Sequence, residues 1–62
     1  MFKEYEIVKA NKKLSPKVDI GMSGTILIIY DSNPPAYEVE FIDDNGNSIE
    51  ILTIIGTDLI YA

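Results

Sequence analysis

The chain of 62 residues has no cysteine, no histidine, no tryptophan and no arginine. Each absence excludes something. Without cysteine, no disulfide staples the fold and no thiolate serves as nucleophile or metal ligand. Without histidine, the commonest general base and metal ligand near neutral pH is missing. Without tryptophan, the aromatic panel of a proline-peptide groove is incomplete. Without arginine, and with a net charge of -5, the chain lacks the basic surface by which proteins hold phosphate backbones. Long apolar runs are absent too. The longest, "ILIIY" at 26–30, is far short of the roughly 20 residues that span a bilayer. The opening "MFKEYEIVKANKK" interleaves charge with apolar residues and offers no signal-peptide core. A cytoplasmic protein, with no membrane and no nucleic acid as partner, is the expectation.

What is present is a core. Hydrophobic residues make up 47% of the chain, too many for a disordered segment. A domain of this size buries only roughly 60% of its unfolded surface, so stability rests on that core, helped by a protein partner or a second copy. Charge is unevenly spread. All five lysines (Lys3, Lys9, Lys12, Lys13, Lys17) lie in the first seventeen residues, against Glu4 and Glu6. Residues 18–62 carry eight carboxylates and no base.

The apolar runs are short, rich in Ile, Val and Tyr, and bounded by Gly, Pro, Asn or Asp, which is the pattern of strands. A first strand is expected near Tyr5 to Ala10. A lysine-rich loop follows from Asn11 to Asp19, anchored by Leu14 and stiffened by Pro16. Gly21 and Gly24 are expected to bracket a turn before a strand from Thr25 to Tyr30, and "DSNPPA" at 31–36 reads as a second turn. In "AYEVEFIDDNGNSIEIL", Tyr37, Val39 and Phe41 alternate with Glu38 and Glu40, giving one buried and one wet face. The turn admits two registers. A two-residue Asn45-Gly46 turn pairs Phe41 with Glu50. A three-residue loop of Asp44, Asn45 and Gly46 pairs Phe41 with Ile49 and Val39 with Ile51, which keeps apolar residues together. The second is the expected register, and it sets Glu40 opposite Glu50 on the outer face, with Glu38 and Leu52 nearby. The tail reads as a tight turn at Gly56 to Asp58 and a last strand at Leu59 to Tyr61. The expected fold is all-β, one domain over 1–62: a small five-stranded SH3-like barrel with a one-turn 3-10 element before the last strand.

"DIGMSGTILIIY", "AYEVEFIDDNG", Thr53 and Leu59 together follow a pattern that resembles a family of small bacterial proteins, number four-nine-two-six in the domain-of-unknown-function series. The resemblance covers residues 5 to 61. It implies an SH3-like barrel without known enzymatic activity. It also implies partnership with products of adjacent genes, some toxin-like or nuclease-like, and so an antitoxin or immunity role. The early loop departs from the family by carrying Lys12, Lys13 and Lys17 where members often have arginine and more proline.

Candidate sites are few. Glu38, Glu40 and Glu50, with Ile42 and Leu52 beside them, form the expected partner-binding face; the plainer reading is a solvated strand surface. "DDNGN" at 43–47 lacks the spacing of a calcium loop and reads as a turn. "GMSG" is followed by no G-K-[ST] and reads the same way. The lysine loop is ordinarily a solvated segment. Ile26 to Ile29 and Leu52, Ile54 and Ile55 cannot all face inward from straight strands. Either the strands bend or an apolar patch is exposed. Catalytic, cofactor and metal sites are expected to be absent, because no suitable side chains converge and so small a domain hardly encloses a pocket. The functional expectation is a non-catalytic module that neutralises a co-encoded basic toxin or nuclease. The alternative is a self-associating structural or regulatory module.

Overall fold

The computed structural model describes residues 1–62. Five strands form one antiparallel sheet: β1 (Ile7–Ala10), β2 (Ser23–Tyr30), β3 (Ala36–Ile42), β4 (Ser48–Ile55) and β5 (Leu59–Tyr61), with a 3-10 turn at Gly56–Asp58 before the last. Their order across the sheet is β4-β3-β2-β1-β5. The five strands and the 3-10 turn before the last are those of the expected all-β fold. The ring is not closed by hydrogen bonds, however: β4 and β5 remain the two edges.

One face of the sheet supplies the core. Val8, Ala10, Ile26, Tyr37, Val39, Phe41, Ile54 and Leu59 are all buried, and no polar or charged residue is. Two residues from outside the strands complete it. Val18, from the long loop, is fully buried, and Phe2 sits at the opposite end. The Phe2 ring meets Tyr37 edge-on at 5.4 Å and Tyr61 at 4.7 Å, and its N–H donates to the Tyr37 hydroxyl at 3.3 Å. Val18 rather than Leu14 is the main anchor of the lysine loop; Leu14 packs against the core only in part.

Three local expectations are corrected. The first strand begins at Ile7, because Tyr5 adopts a left-handed conformation (φ 65) while its N–H donates to the Ile26 carbonyl at 2.7 Å. Gly24 lies inside β2, not in a turn. It is there for lack of a side chain, since a Cβ at this position would stand 2.6 Å from Val39 Cγ1 and 3.0 Å from Phe41 Cδ1. Only Gly21, with φ 85, serves the turn.

The third correction concerns register. Next to the turn, Ile42 faces Ser48, and Asp43 and Asn47 close a loop of Asp44, Asn45 and Gly46, as expected. A bulge at Ile49 then shifts the pairing by one residue, so Phe41 faces Glu50, Val39 faces Leu52 and Tyr37 faces Ile54. The reason lies in the part of the strand beyond the bulge. There the expected register turns Ile51 and Thr53 toward the core, whereas the shifted one turns Leu52 and Ile54 there. A second large aliphatic thus replaces a threonine, and Glu50 comes to the inner side with them. A second bulge, at Leu27 in β2 between the Ile26–Val39 and Ile28–Glu38 pairs, resolves the run of apolar residues. It keeps Ile26 buried and turns Ile28 outward, 48% exposed.

Candidate functional site

Successive side chains of a strand point to opposite faces, so the register determines which glutamates stand together. On the outer face, Glu38 lies between Ile28 of β2 and Thr53 of β4, and Glu40 lies between Thr25 and Ile51. Both glutamates are half-buried by these neighbours. Thr53 donates its hydroxyl to Glu38 Oε1 at 2.6 Å, which fixes that carboxylate against the sheet. Neither glutamate is ion-paired; the one salt bridge, at 3.5 Å, joins Lys12 to Asp58.

Glu50 is not part of this face. The bulge places it on the core side, opposite Phe41, where it accepts a hydrogen bond of 2.6 Å from the Ser15 hydroxyl. Ser15 Oγ in turn accepts the N–H groups of Lys17 and Val18 at 3.2 and 3.1 Å. This arrangement ties the lysine loop to β4. Leu52 is also on the inner side, packed against the core. Of the five residues expected to form one face, the structure therefore brings together Glu38, Glu40 and Ile42, and sets Glu50 and Leu52 behind them. In their place stand Ile28 and Ile55, from the two apolar runs that could not all face inward, and Ile51, which was expected opposite Val39 and is 53% exposed. Their parity relative to Tyr37 depends on the two bulges, and a bulge leaves no mark in the pattern of residue types.

A second acidic location lies at the rim. Asp19, Asp43 and Asp44 border an open depression of about 620 Å³ together with Ile20, Met22 and Ile42. Two of the three carboxylates are occupied by their own turns. Asp19 Oδ1 accepts from the Ile20 N–H at 2.8 Å. Asp43 Oδ1 accepts from the N–H groups of Asn45 and Asn47, each at 2.9 Å. The Asn47 N–H chiefly, with the smaller contributions of Asn45 and Gly46, holds the Asp43 carboxyl below its ordinary value of 3.8. These are turn-forming contacts, and no group of three or more carboxylates is arranged to hold a metal ion. No helix is long and apolar enough to cross a membrane.

The outer face thus carries two carboxylates without an ion pair, Glu38 held by the Thr53 hydroxyl and Glu40 by no side-chain hydrogen bond, flanked by exposed aliphatic side chains. No curated protein and no solved structure matches the chain. The family described as "Domain of unknown function (DUF4926)" matches residues 4–61. With nearly the whole chain matched, from the residues before β1 to the end of β5, this protein belongs to the DUF4926 family.

Proposed function

We propose that the chain is a non-catalytic protein-binding module of the antitoxin or immunity kind, which captures a basic, co-encoded toxin on the outer face around Glu38 and Glu40. The observation that carries this reading is the pairing of unneutralised carboxylates with exposed isoleucines on one face. Glu38 and Glu40 have no basic neighbour in their own strands, and Ile28 and Ile51 stand beside them. A basic partner gains charge complementarity from the glutamates and apolar burial from the isoleucines, while the excess of carboxylates over residues 18–62 steers its approach. Glu50 contributes to folding and only indirectly to binding.

The test is co-expression with the product of the neighbouring gene. The wild-type chain relieves growth arrest caused by that product, and the Glu38→Lys/Glu40→Lys variant does not. Equal relief by both would remove the acidic face from the account, and no arrest at all would remove the toxin.

A second reading, a self-associating structural or regulatory module, is favoured by a separate observation. Ile7, Ile28, Ile51 and Ile55 all stay between 45% and 53% exposed on a chain with little surface to spare.

A further inference from the structure

Edge strands expose a row of unpaired backbone donors and acceptors, and proteins ordinarily blunt them with lysine, proline, bulges or brevity. The two edges here are unequal. β5 has three residues, while β4 has eight and reads "SIEILTII". Beyond its bulge at Ile49, β4 carries no lysine and no proline, and its one charge, Glu50, is engaged by Ser15. From Ile51 to Ile55 no strand of the chain pairs with this edge.

Which of its backbone groups are free follows from the ladder. The Gly56 N–H donates to the Pro35 carbonyl at 3.0 Å, so residues 50, 52, 54 and 56 direct their N–H and C=O toward β3. Ile51, Thr53 and Ile55 direct theirs away from it, to the open side. The same three residues carry their side chains on the exposed outer face.

We infer that β4 pairs antiparallel with β4 of a second copy about a two-fold axis at Thr53, extending the sheet across both chains; the edge adjoins the proposed toxin-binding face and shares Ile51 with it, and the pairing gives the self-associating reading a defined geometry. The occupant is argued from self-complementarity. With Thr53 facing its own copy, Ile51 faces Ile55 of the second chain, and every outward N–H and C=O of Ile51, Thr53 and Ile55 finds a partner. The aliphatic pairs Ile51–Ile55 fall on the outer face and Leu52–Ile54 on the inner one, both favourable cross-strand combinations. Glu50 falls opposite Gly56, so no like charges meet. A register one pair shorter drives Ile55 against the bulge at Ile49 and leaves the ladder incomplete. A standard interface takes about 800 Å² per partner, roughly a fifth of this chain's 3968 Å² surface. The edge from Glu50 to Ile55 supplies less, so the pairing depends on concentration.

The experiment is sedimentation velocity with residue-resolved amide exchange, from micromolar to millimolar protein. The expected result is a monomer–dimer transition in which the amides of Ile51, Thr53 and Ile55 become protected in step with the dimer fraction. Amides of Leu52 and Ile54 stay protected throughout and report that the chain is folded. Thr53→Pro removes an outward N–H that β3 does not use, and Ile51→Lys/Ile55→Lys adds edge charge without touching the backbone; both abolish the dimer. A dimer whose odd-numbered amides stay unprotected would overturn the edge pairing and leave self-association through a face. A monomer at every concentration would overturn both.

Discussion

The Ser15 hydroxyl donates to Glu50 Oε1 at 2.6 Å, joining the lysine loop to β4 across 35 residues of sequence. The contact explains how a carboxylate comes to stand opposite Phe41 on the core side of the sheet: it is satisfied there. Ser15→Ala removes the donor to Glu50 and the acceptor for the Lys17 and Val18 N–H groups together. The expected loss is about 1–3 kcal/mol, because a partly buried charged acceptor loses its donor and the Lys17 N–H its acceptor, while the Val18 N–H keeps the Ser15 carbonyl at 3.2 Å. Urea denaturation reads it as a lower midpoint. An unchanged midpoint would mean that the loop is not held through this bond.

Gly24→Ala tests the closeness of β2 to β3. The added methyl meets Val39 and Phe41, both fully buried, so neither side chain gives way without opening the core. Overpacking of this kind costs about 1–3 kcal/mol. A variant as stable as the parent would show that the strands lie farther apart than described.

Tyr37 is buried to 1% exposure, and its hydroxyl takes the Phe2 N–H. In Tyr37→Phe the ring still fills its place, but a buried N–H loses its acceptor, and stability falls by about 1 kcal/mol. The denaturant midpoint drops while the slope holds, since the surface exposed on unfolding is the same.

Asp43 sets an acid dependence. Its carboxyl is held below the ordinary 3.8 by the turn amides, first that of Asn47. A carboxylate with a depressed folded value stabilises the fold above its unfolded value, and that contribution is lost as pH falls through the folded value. The melting temperature of the parent therefore declines as pH drops below about 4 in part through this turn. Asp43→Ala starts lower at neutral pH and declines less steeply. Parallel melting curves for the two chains across that range would contradict the assignment.

Much of the fold was legible in residue types. Tyr37, Val39 and Phe41 alternate with Glu38 and Glu40 without interruption, so β3 and its two faces follow directly from a period of two. The turn at Gly56–Asp58 and the strand from Leu59 to Tyr61 were equally plain. The candidate face was legible only on its β3 side. Ile28 and Ile51 join it because single-residue bulges at Leu27 and Ile49 change the parity of β2 and β4, and one extra residue in an aliphatic run has no chemical signature. Val18 and Phe2 escaped for a different reason. Each lies outside the strands, Phe2 beside Met1 and Val18 two residues before Ile20, with nothing in residue type to separate it from its exposed apolar neighbour, and only the folded chain brings it into the core.

Capture of a basic partner on the Glu38/Glu40 face is read most directly by native mass spectrometry of the protein purified at low salt from its own host. Three chains are compared: the parent, Glu38→Lys/Glu40→Lys and Glu50→Lys. The parent is expected to carry the basic product of the neighbouring gene. The Glu38/Glu40 variant loses it, because the charges facing the partner are reversed. The Glu50 variant, though less stable, retains it. Loss with Glu50→Lys but not with Glu38→Lys/Glu40→Lys, or no such complex with the parent, would contradict the account.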